Sequence, residues 1–476
     1  MRQTGNKQLM DFGFSGSDEI EEIKELNELV WENNGGVEIV KAGTLTALVE
    51  SLTRHDRLEA SFNRIFLTTY EYFTSTPVLT DLLIRRFSCP PPVTFSPTQA
   101  AEWSTRRKPL VQVRVINILK QWLEHFWTGP EGPDDPNLLK LQSFANVAVA
   151  ETSAAKHLLE LVQRRLAGLE LKRSHPSPPK PPKPILPRKL NKLEFIKIDP
   201  KEIARQLTIM EACMFSKLQT CEFLHKTWQK KDSPDAFHPA HNVKALIRYF
   251  NQLSNWVGAL IIAESELKKR TQCIGHLVNV ATIYGHKLRQ KKQECYNLQN
   301  YSAVISILSG LESAPIYRLA RTWAMVTQRS CDALRPLQAM ISSAQNYNAY
   351  RETIRMAVPP CIPFLGLFLK DLTFIEDGNP SVTSEGLINF HKCTMLASCV
   401  HEIQRFQQAS YCLQIVPEIQ DYLVTQLQSA PDVHDMYERS CVLEPLGRGE
   451  HRHRDSYTPT GGMTTSMVIA CMILDD

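Results

Sequence analysis

Long apolar runs are missing from this sequence. The longest late one, Met467 to Leu474, is far too short to cross a bilayer, which takes about 20 residues in a helix. An excess of one charge is missing too. Lys and Arg number 54 against 50 Asp and Glu, a net charge of +4, so no basic face dominates and a nucleic-acid partner is not expected. Twelve cysteines are scattered with no CxxC pair and no metal-ligand spacing, which argues against a zinc module. The first residues, MRQTGNKQLMDFGFSGSDEIEE, hold no apolar signal core, and Cys471 is followed by five residues, so it is not a prenylation box. Reduced thiols in a cytoplasmic protein are the expectation. GxxxxGK[ST], HExxH and GxSxG are absent. GGVEIVKAG lacks the strand–glycine–helix context of a dinucleotide site. None of the fourteen histidines pairs with a nucleophile, and His451 and His453 are too weak a pair for a metal site. No metal, cofactor or covalent catalysis is expected. These absences describe a chain that acts on another macromolecule.

What is present is helical periodicity. Thr44 is placed to cap a helix with Leu45, Leu48, Val49 and Leu52 on one face. Phe62 to Phe73 continues the pattern, and Val115, Ile118, Leu119, Trp122 and Phe126 mark an amphipathic helix. Further helices are expected at Glu202–Ser216, Val243–Leu260, Tyr301–Leu311 and Pro417–Leu427. The fold class read from this is all-α. The boundaries read are a loose tail over 1–36 with a weak helix at Asp18–Trp31, a helical domain over 37–170, a Pro/Lys linker over 171–192, a larger helical domain over 193–446 and a tail over 447–476. Two readings of Pro176–Pro187 stand: a semi-rigid polyproline spacer, or a ligand for an SH3 protein, because PxxP occurs beside basic residues. YGHKLRQKKQ, Tyr284–Gln293, reads as a solvated basic loop.

PPCIPFLGLFLKDLTFIEDGNP, Pro359–Pro380, reads as a helix with a stop at each end. The prolines permit a start, and Gly378-Asn379-Pro380 ends it. A second helix is expected over Gly386–Phe406, making a helical hairpin. Thr373 and Asp377 share one side of the last turn. A carboxylate there opposes the helix dipole, so its purpose has to be sought elsewhere.

Several segments, in order, resemble the Ras-type guanine nucleotide exchange factors, the group of Son of sevenless and the fungal Ras activators. They are IDPKEIARQLTIMEACMF (Ile198–Phe215), FLHKTWQKKD (Phe223–Asp232), NVKALIRYFNQLSNWV (Asn242–Val257), LQNYSAVISILSGLESAPIYRLARTW (Leu298–Trp323), the hairpin stretch and GLINFHK (Gly386–Lys392). Upstream, VEIVKAGTLTALVESLT (Val37–Thr53) and FLTTYEYFTS (Phe66–Ser75) resemble that family's Ras exchanger motif domain. The resemblance implies a Ras exchanger motif domain followed by a larger helical catalytic domain with a protruding helical hairpin. It implies a regulator, not an enzyme with covalent chemistry. The hairpin would displace switch 1 of a Ras-subfamily GTPase (Ras, Rap or Ral) and occlude its magnesium and phosphate sites, so that GDP leaves and GTP binds.

The family's apolar wedge residue and the acidic one four positions later match Thr373 and Asp377, where many relatives carry leucine and glutamate; Phe374 and Asn379 flank them. The face that would grip switch 2 matches Trp228, Ile247, Arg248, Asn251, Ile305, Glu312, Asn346, Tyr347 and Phe364, with asparagine in a relative at the position of Glu312. By pattern alone these residues have a second reading. Trp228, Ile247 and Ile305 suit a core, Phe364 a hairpin seat, and Arg248, Asn251 and Asp377 a solvated surface. A catalytically weak scaffold that binds a GTPase without exchange is the alternative function. The upstream domain is expected to brace the hairpin and to be a candidate for a second GTPase site. Recruitment to the inner membrane surface through the GTPase or other partners is expected.

Overall fold

The computed structural model describes residues 28–56, 59–91, 95–128, 132–169, 180–231, 240–285 and 298–445. They form two compact units: residues up to 169 together with Ile375–Ser398, and residues 180–374 together with those from Cys399 on. The expected tail over 447–476, the histidine pair and most of the basic loop lie outside the described residues, as do 1–27.

The first unit opens on a β-hairpin, β1 (Leu29–Asn34) and β2 (Val37–Gly43). Asn34 pairs with Val37 across Gly35 and Gly36, whose φ values of 61° and 90° suit the two-residue turn that right-twisted strands favour. From Leu29 to Gly36 this corrects the expected loose tail and the end of the weak helix, since Trp31 lies in β1. Flanked by Val30, Val37, Ile39 and Val40, the two glycines are a hairpin signal. Helices follow as α1 (Leu45–Leu52), α2 (Ala60–Phe73), α3 (Thr76–Phe87), α4 (Pro97–Glu102) with a π-turn over Trp103–Arg107, α5 (Lys108–His125), α6 (Pro136–Glu151) and α7 (Ala155–Leu166). Thr44 caps α1 as its position predicts, its Oγ1 accepting from the Ala47 amide at 3.2 Å. Phe66, Tyr70 and Trp122 are buried at the centre of this unit, with the Tyr70 and Trp122 rings edge to face at 5.3 Å.

The second unit holds α8 (Pro200–Phe215), α9 (His241–Ala263), α10 (Leu267–Gly285), α11 (Tyr301–Glu312), two short helices α12 (Ala314–Tyr317) and α13 (Ala320–Ala324), α14 (Gln328–Met340) and α15 (Asn348–Met356). In chain order α16 (Leu365–Gly378), the short strand β3 (Ile388–Asn389) and α17 (Phe390–Gln407) come next, of which Ile375–Ser398 belongs to the first unit, and α18 (Pro417–Gln428) and α19 (Val433–Leu443) complete the second. Helix α16 begins at Leu365 rather than among the prolines, because Ile362 bridges to Asn300 and its carbonyl accepts from the Tyr301 amide. Helix α17 begins at Phe390 rather than Gly386, which has φ 81°. β3 pairs with β2 instead, and the three strands form one small sheet in a helical protein.

Linker residues from Lys180 on are held in place. Glu202 accepts from the Ile185 amide at 2.9 Å, and Arg205 donates to the Lys183 carbonyl at 3.2 Å.

The start of α11 carries a titrating group. Asn300 Oδ1 accepts from the Ala303 amide at 3.0 Å, and Asn300 Nδ2 donates to Glu211 at 2.8 Å. Glu211 is fully buried. Burial pushes its carboxyl up to about 7 against the lowering effect of hydrogen bonds from Ser302 and Asn300. A carboxyl raised in the folded state stabilises fully below its ordinary value, and that stability is lost as pH rises through about 7. Glu211→Gln cannot ionise. Relative to wild type it is therefore expected to be more stable at pH 8 than at pH 5, by on the order of 3 kcal/mol. Melting temperatures at the two pH values check this, and an equal offset at both would exclude it.

Candidate functional site

The hairpin is built from α16, a turn and α17. The turn is closed by hydrogen bonds from the Thr383 amide to the Leu387 carbonyl and from the Asn389 amide to the Ser381 carbonyl. Thr373 is half-buried, and its Oγ1 donates back to the Leu369 carbonyl at 2.9 Å. The hydroxyl is thus engaged by its own helix. Phe374 is 64% exposed and Asp377 is exposed. Asn379 Nδ2 donates to the Ile375 carbonyl at 3.0 Å and closes the helix end.

The electrostatic problem at the end of α16 is met by a residue that the sequence reading did not single out. Lys392 is 2% exposed. Its Nζ donates to the carbonyls of Glu376 (3.1 Å) and Asn379 (2.7 Å), and it pairs with Glu376 Oε2 at 2.8 Å. A cation on the last carbonyls of a helix complements its dipole. Burial pulls the lysine pKa down, but the Glu376 carboxylate and the Tyr72 hydroxyl outweigh this and hold it above its ordinary value. Tyr72 of α2 joins the same network, donating to Glu376 at 2.8 Å and lying 2.7 Å from Ser381 Oγ. Phe62 of α2 packs on Phe390 at 4.8 Å between ring centres. Within the first unit, β2, Phe62 and Tyr72 therefore hold the Ile375–Ser398 segment in place. The sequence signal for Lys392 was its place beside Cys393 in the apolar arc of α17, which a lysine avoids unless paired.

In the second unit, Trp228 sits in a short 3₁₀ turn that packs on α9, and it is 1% exposed. Ile247 is buried on α9, with Arg248 exposed and Asn251 half-buried next to it on the helix surface. Ile305 is buried on α11, which packs along α9. Glu222 fixes the start of α9, accepting from the Val243 amide (2.9 Å) and Asn242 Nδ2 (2.6 Å). The Phe364 ring packs against Phe250 at a tilt of 38°, 5.1 Å between centres, and its amide donates to the buried Tyr350 hydroxyl at 2.6 Å. Asn346 is exposed, and Tyr347 is buried at the start of α15. Glu312 lies two turns beyond Ile305 and accepts from Gln338 at 3.0 Å; burial raises its pKa. Packing links tie Trp228, Ile247, Ile305 and Phe364 to neighbouring elements, while Glu312 is engaged with α14.

Residues 39–144 match the family model of the RasGEF N-terminal motif, and residues 202–394 match that of the RasGEF domain. The chain is similar to Cell division control protein 25 of Candida albicans, with 32% identity over 85% of this chain and 30% of the relative. It is similar to the protein of the same name in Saccharomyces cerevisiae, with 30% identity over 88% of this chain and 27% of the relative. Ras guanine nucleotide exchange factor J of Dictyostelium discoideum is 31% identical over 86% of this chain and 48% of its own length. The chain thus spans less than half the length of these relatives. With both domain signatures in order over a largely helical framework, the chain belongs to the RasGEF family.

Proposed function

We propose that this chain is a guanine nucleotide exchange factor for a Ras-subfamily GTPase, Ras, Rap or Ral, acting by insertion of the α16–α17 hairpin into the nucleotide site. The observation that carries this is the end of α16. Phe374 and Asp377 are exposed there, on a helix end whose carbonyls are held by a buried lysine, in a chain with both RasGEF signatures. Asp377 is the group that opposes a phosphate, more strongly where water is excluded. Phe374 and the Thr373 methyl supply apolar cover. Trp228, Ile247, Arg248, Asn251, Ile305, Glu312, Asn346, Tyr347 and Phe364 form the proposed GTPase-binding face. No covalent step is required. A protein that binds the nucleotide-free GTPase better than the loaded one weakens nucleotide binding by the same factor. Recruitment to the inner membrane surface through the GTPase or other partners belongs to the same reading. An SH3 protein at Pro176–Pro187 is a further proposed partner, although the Lys183 carbonyl and the Ile185 amide are already engaged.

The test is release of a fluorescent GDP analogue from Ras, Rap and Ral proteins. Wild type is expected to accelerate release from at least one. Asp377→Ala is expected to slow it about tenfold, equivalent to about 1.4 kcal/mol of coupling. Stable binding to the nucleotide-free GTPase with unchanged release would favour the scaffold, and no effect on any of them would sink the exchange reading.

A further inference from the structure

A second link to α16 lies apart from Lys392. Gln345, Asn346 and Tyr347 are three consecutive residues in the left-handed region, with φ 50°, 55° and 60°. Such a turn is costly for residues with a Cβ, least so for asparagine, and it persists only where surrounding contacts impose it. Arg351, one turn into α15, supplies those contacts. Its Nε donates to the Asn346 carbonyl at 2.9 Å. Its Nη1 and Nη2 donate to the two oxygens of Asp371 on α16 at 2.6 and 2.8 Å, a bidentate pair with both side chains half-buried. Lys370, next to Asp371, places its Nζ 5.5 Å from the Tyr347 ring centre and 5.6 Å from that of Phe374. One guanidinium and one ammonium therefore connect an exposed, strained turn to the helix that ends in Phe374 and Asp377. The pairing is planar and two-pronged, a geometry that lysine does not reproduce.

We propose that Arg351 is a positioning residue that couples the Gln345–Tyr347 turn to α16, so that a GTPase engaged at the turn sets the placement of the wedge helix. This rests on the exchange reading above. Two isosteric or charge-conserving variants separate its arms. Asp371→Asn removes the anion on α16 and leaves the Arg351–Asn346 bond. Arg351→Lys keeps a cation facing Asp371 and removes the Nε donor.

The experiment combines hydrogen–deuterium exchange of the amides of residues 345–350 in the free protein with GDP-analogue release across a range of concentrations of this protein. In both variants those amides are expected to exchange at least threefold faster. Asp371→Asn is expected to lower the maximal release rate about tenfold with half-saturation moved less than twofold, and Asp371→Glu to recover most of it. Arg351→Lys is expected to raise the half-saturation concentration severalfold. Unchanged amide exchange in both variants overturns the proposal. So does a fall of both kinetic parameters in step with the folded fraction. If wild type releases no nucleotide, the exchange reading fails by itself, and the amide data then decide the coupling alone.

Discussion

Lys392→Met is expected to lower the melting temperature of the protein by on the order of 10 °C and to cut nucleotide release more than any substitution on the exposed wedge. Removing one partner of a buried ion pair strands the other, at about 3–5 kcal/mol. Each kcal/mol moves the melting point by about 2–4 °C in a domain of this size. Here the group that loses its lysine is Glu376, whose side chain is 8% exposed and keeps the Tyr72 hydroxyl as a donor. The end of α16 also loses the donor to the carbonyls of Glu376 and Asn379, so the helix end that carries Asp377 loses the lysine that complements its dipole. The double variant Lys392→Met with Glu376→Gln is expected to regain stability, because no unpaired charge is left inside. It is not expected to regain the release rate, because the carbonyls stay uncapped. Calorimetry and the release assay on the three proteins check this. A double variant as unstable as the single one would mean that the carbonyl bonds, not the ion pair, carry the energy.

The second large effect is expected at Gly310. A Cβ built there would lie 2.5 Å from the Ser254 carbonyl oxygen and 2.6 Å from Val257 Cβ. The first of these is backbone on α9, so no rotamer change relieves it. Gly310→Ala has to push α11 away from α9, and overpacking of that kind costs about 1–3 kcal/mol, sometimes more. Those two helices carry Ile247, Arg248, Asn251 and Ile305, so the proposed GTPase-binding face shifts with them. A loss of 2 kcal/mol or more is expected on the upper part of that range, together with weaker binding to the nucleotide-free GTPase. Denaturant unfolding and a pull-down titration would measure the two. Full binding by a destabilised variant would separate the face from the helix crossing.

Local pattern made most of the helices legible. Thr44 and its apolar partners place α1, the long periodic run places α9, and Pro417 opens α18, because each is decided within a few turns of chain. β1 and β2 are not legible in this way, since Gly35 and Gly36 serve equally as a break and as a tight turn. The pairing of β3 with β2 was beyond local pattern, because Gly43 and Ile388 are joined only in space. The same holds for Lys392 and Tyr72. A lysine in a helix reads as solvated until its partners are known, and these come from distant parts of the sequence. Trp228, Ile247 and Ile305 were read both as core and as contact residues. They are buried, which suits either role; Arg248, Asn346, Phe374 and Asp377 are the exposed members of the candidate set that a core would not need.

Completion of the first unit by Ile375–Ser398 has a consequence for the order in which the chain is made. The segment that pairs with β2 and covers Phe62 leaves the ribosome ~230 residues after α7. At about 5–20 residues per second that is a delay of roughly 10–45 seconds. Throughout it the edge of β2 and the Phe62 ring await their cover, which is the condition under which nascent chains find wrong partners. A fragment that stops near residue 190 would stay in that condition permanently, so its poor solubility would reflect missing chain and not a defect in the helices it contains.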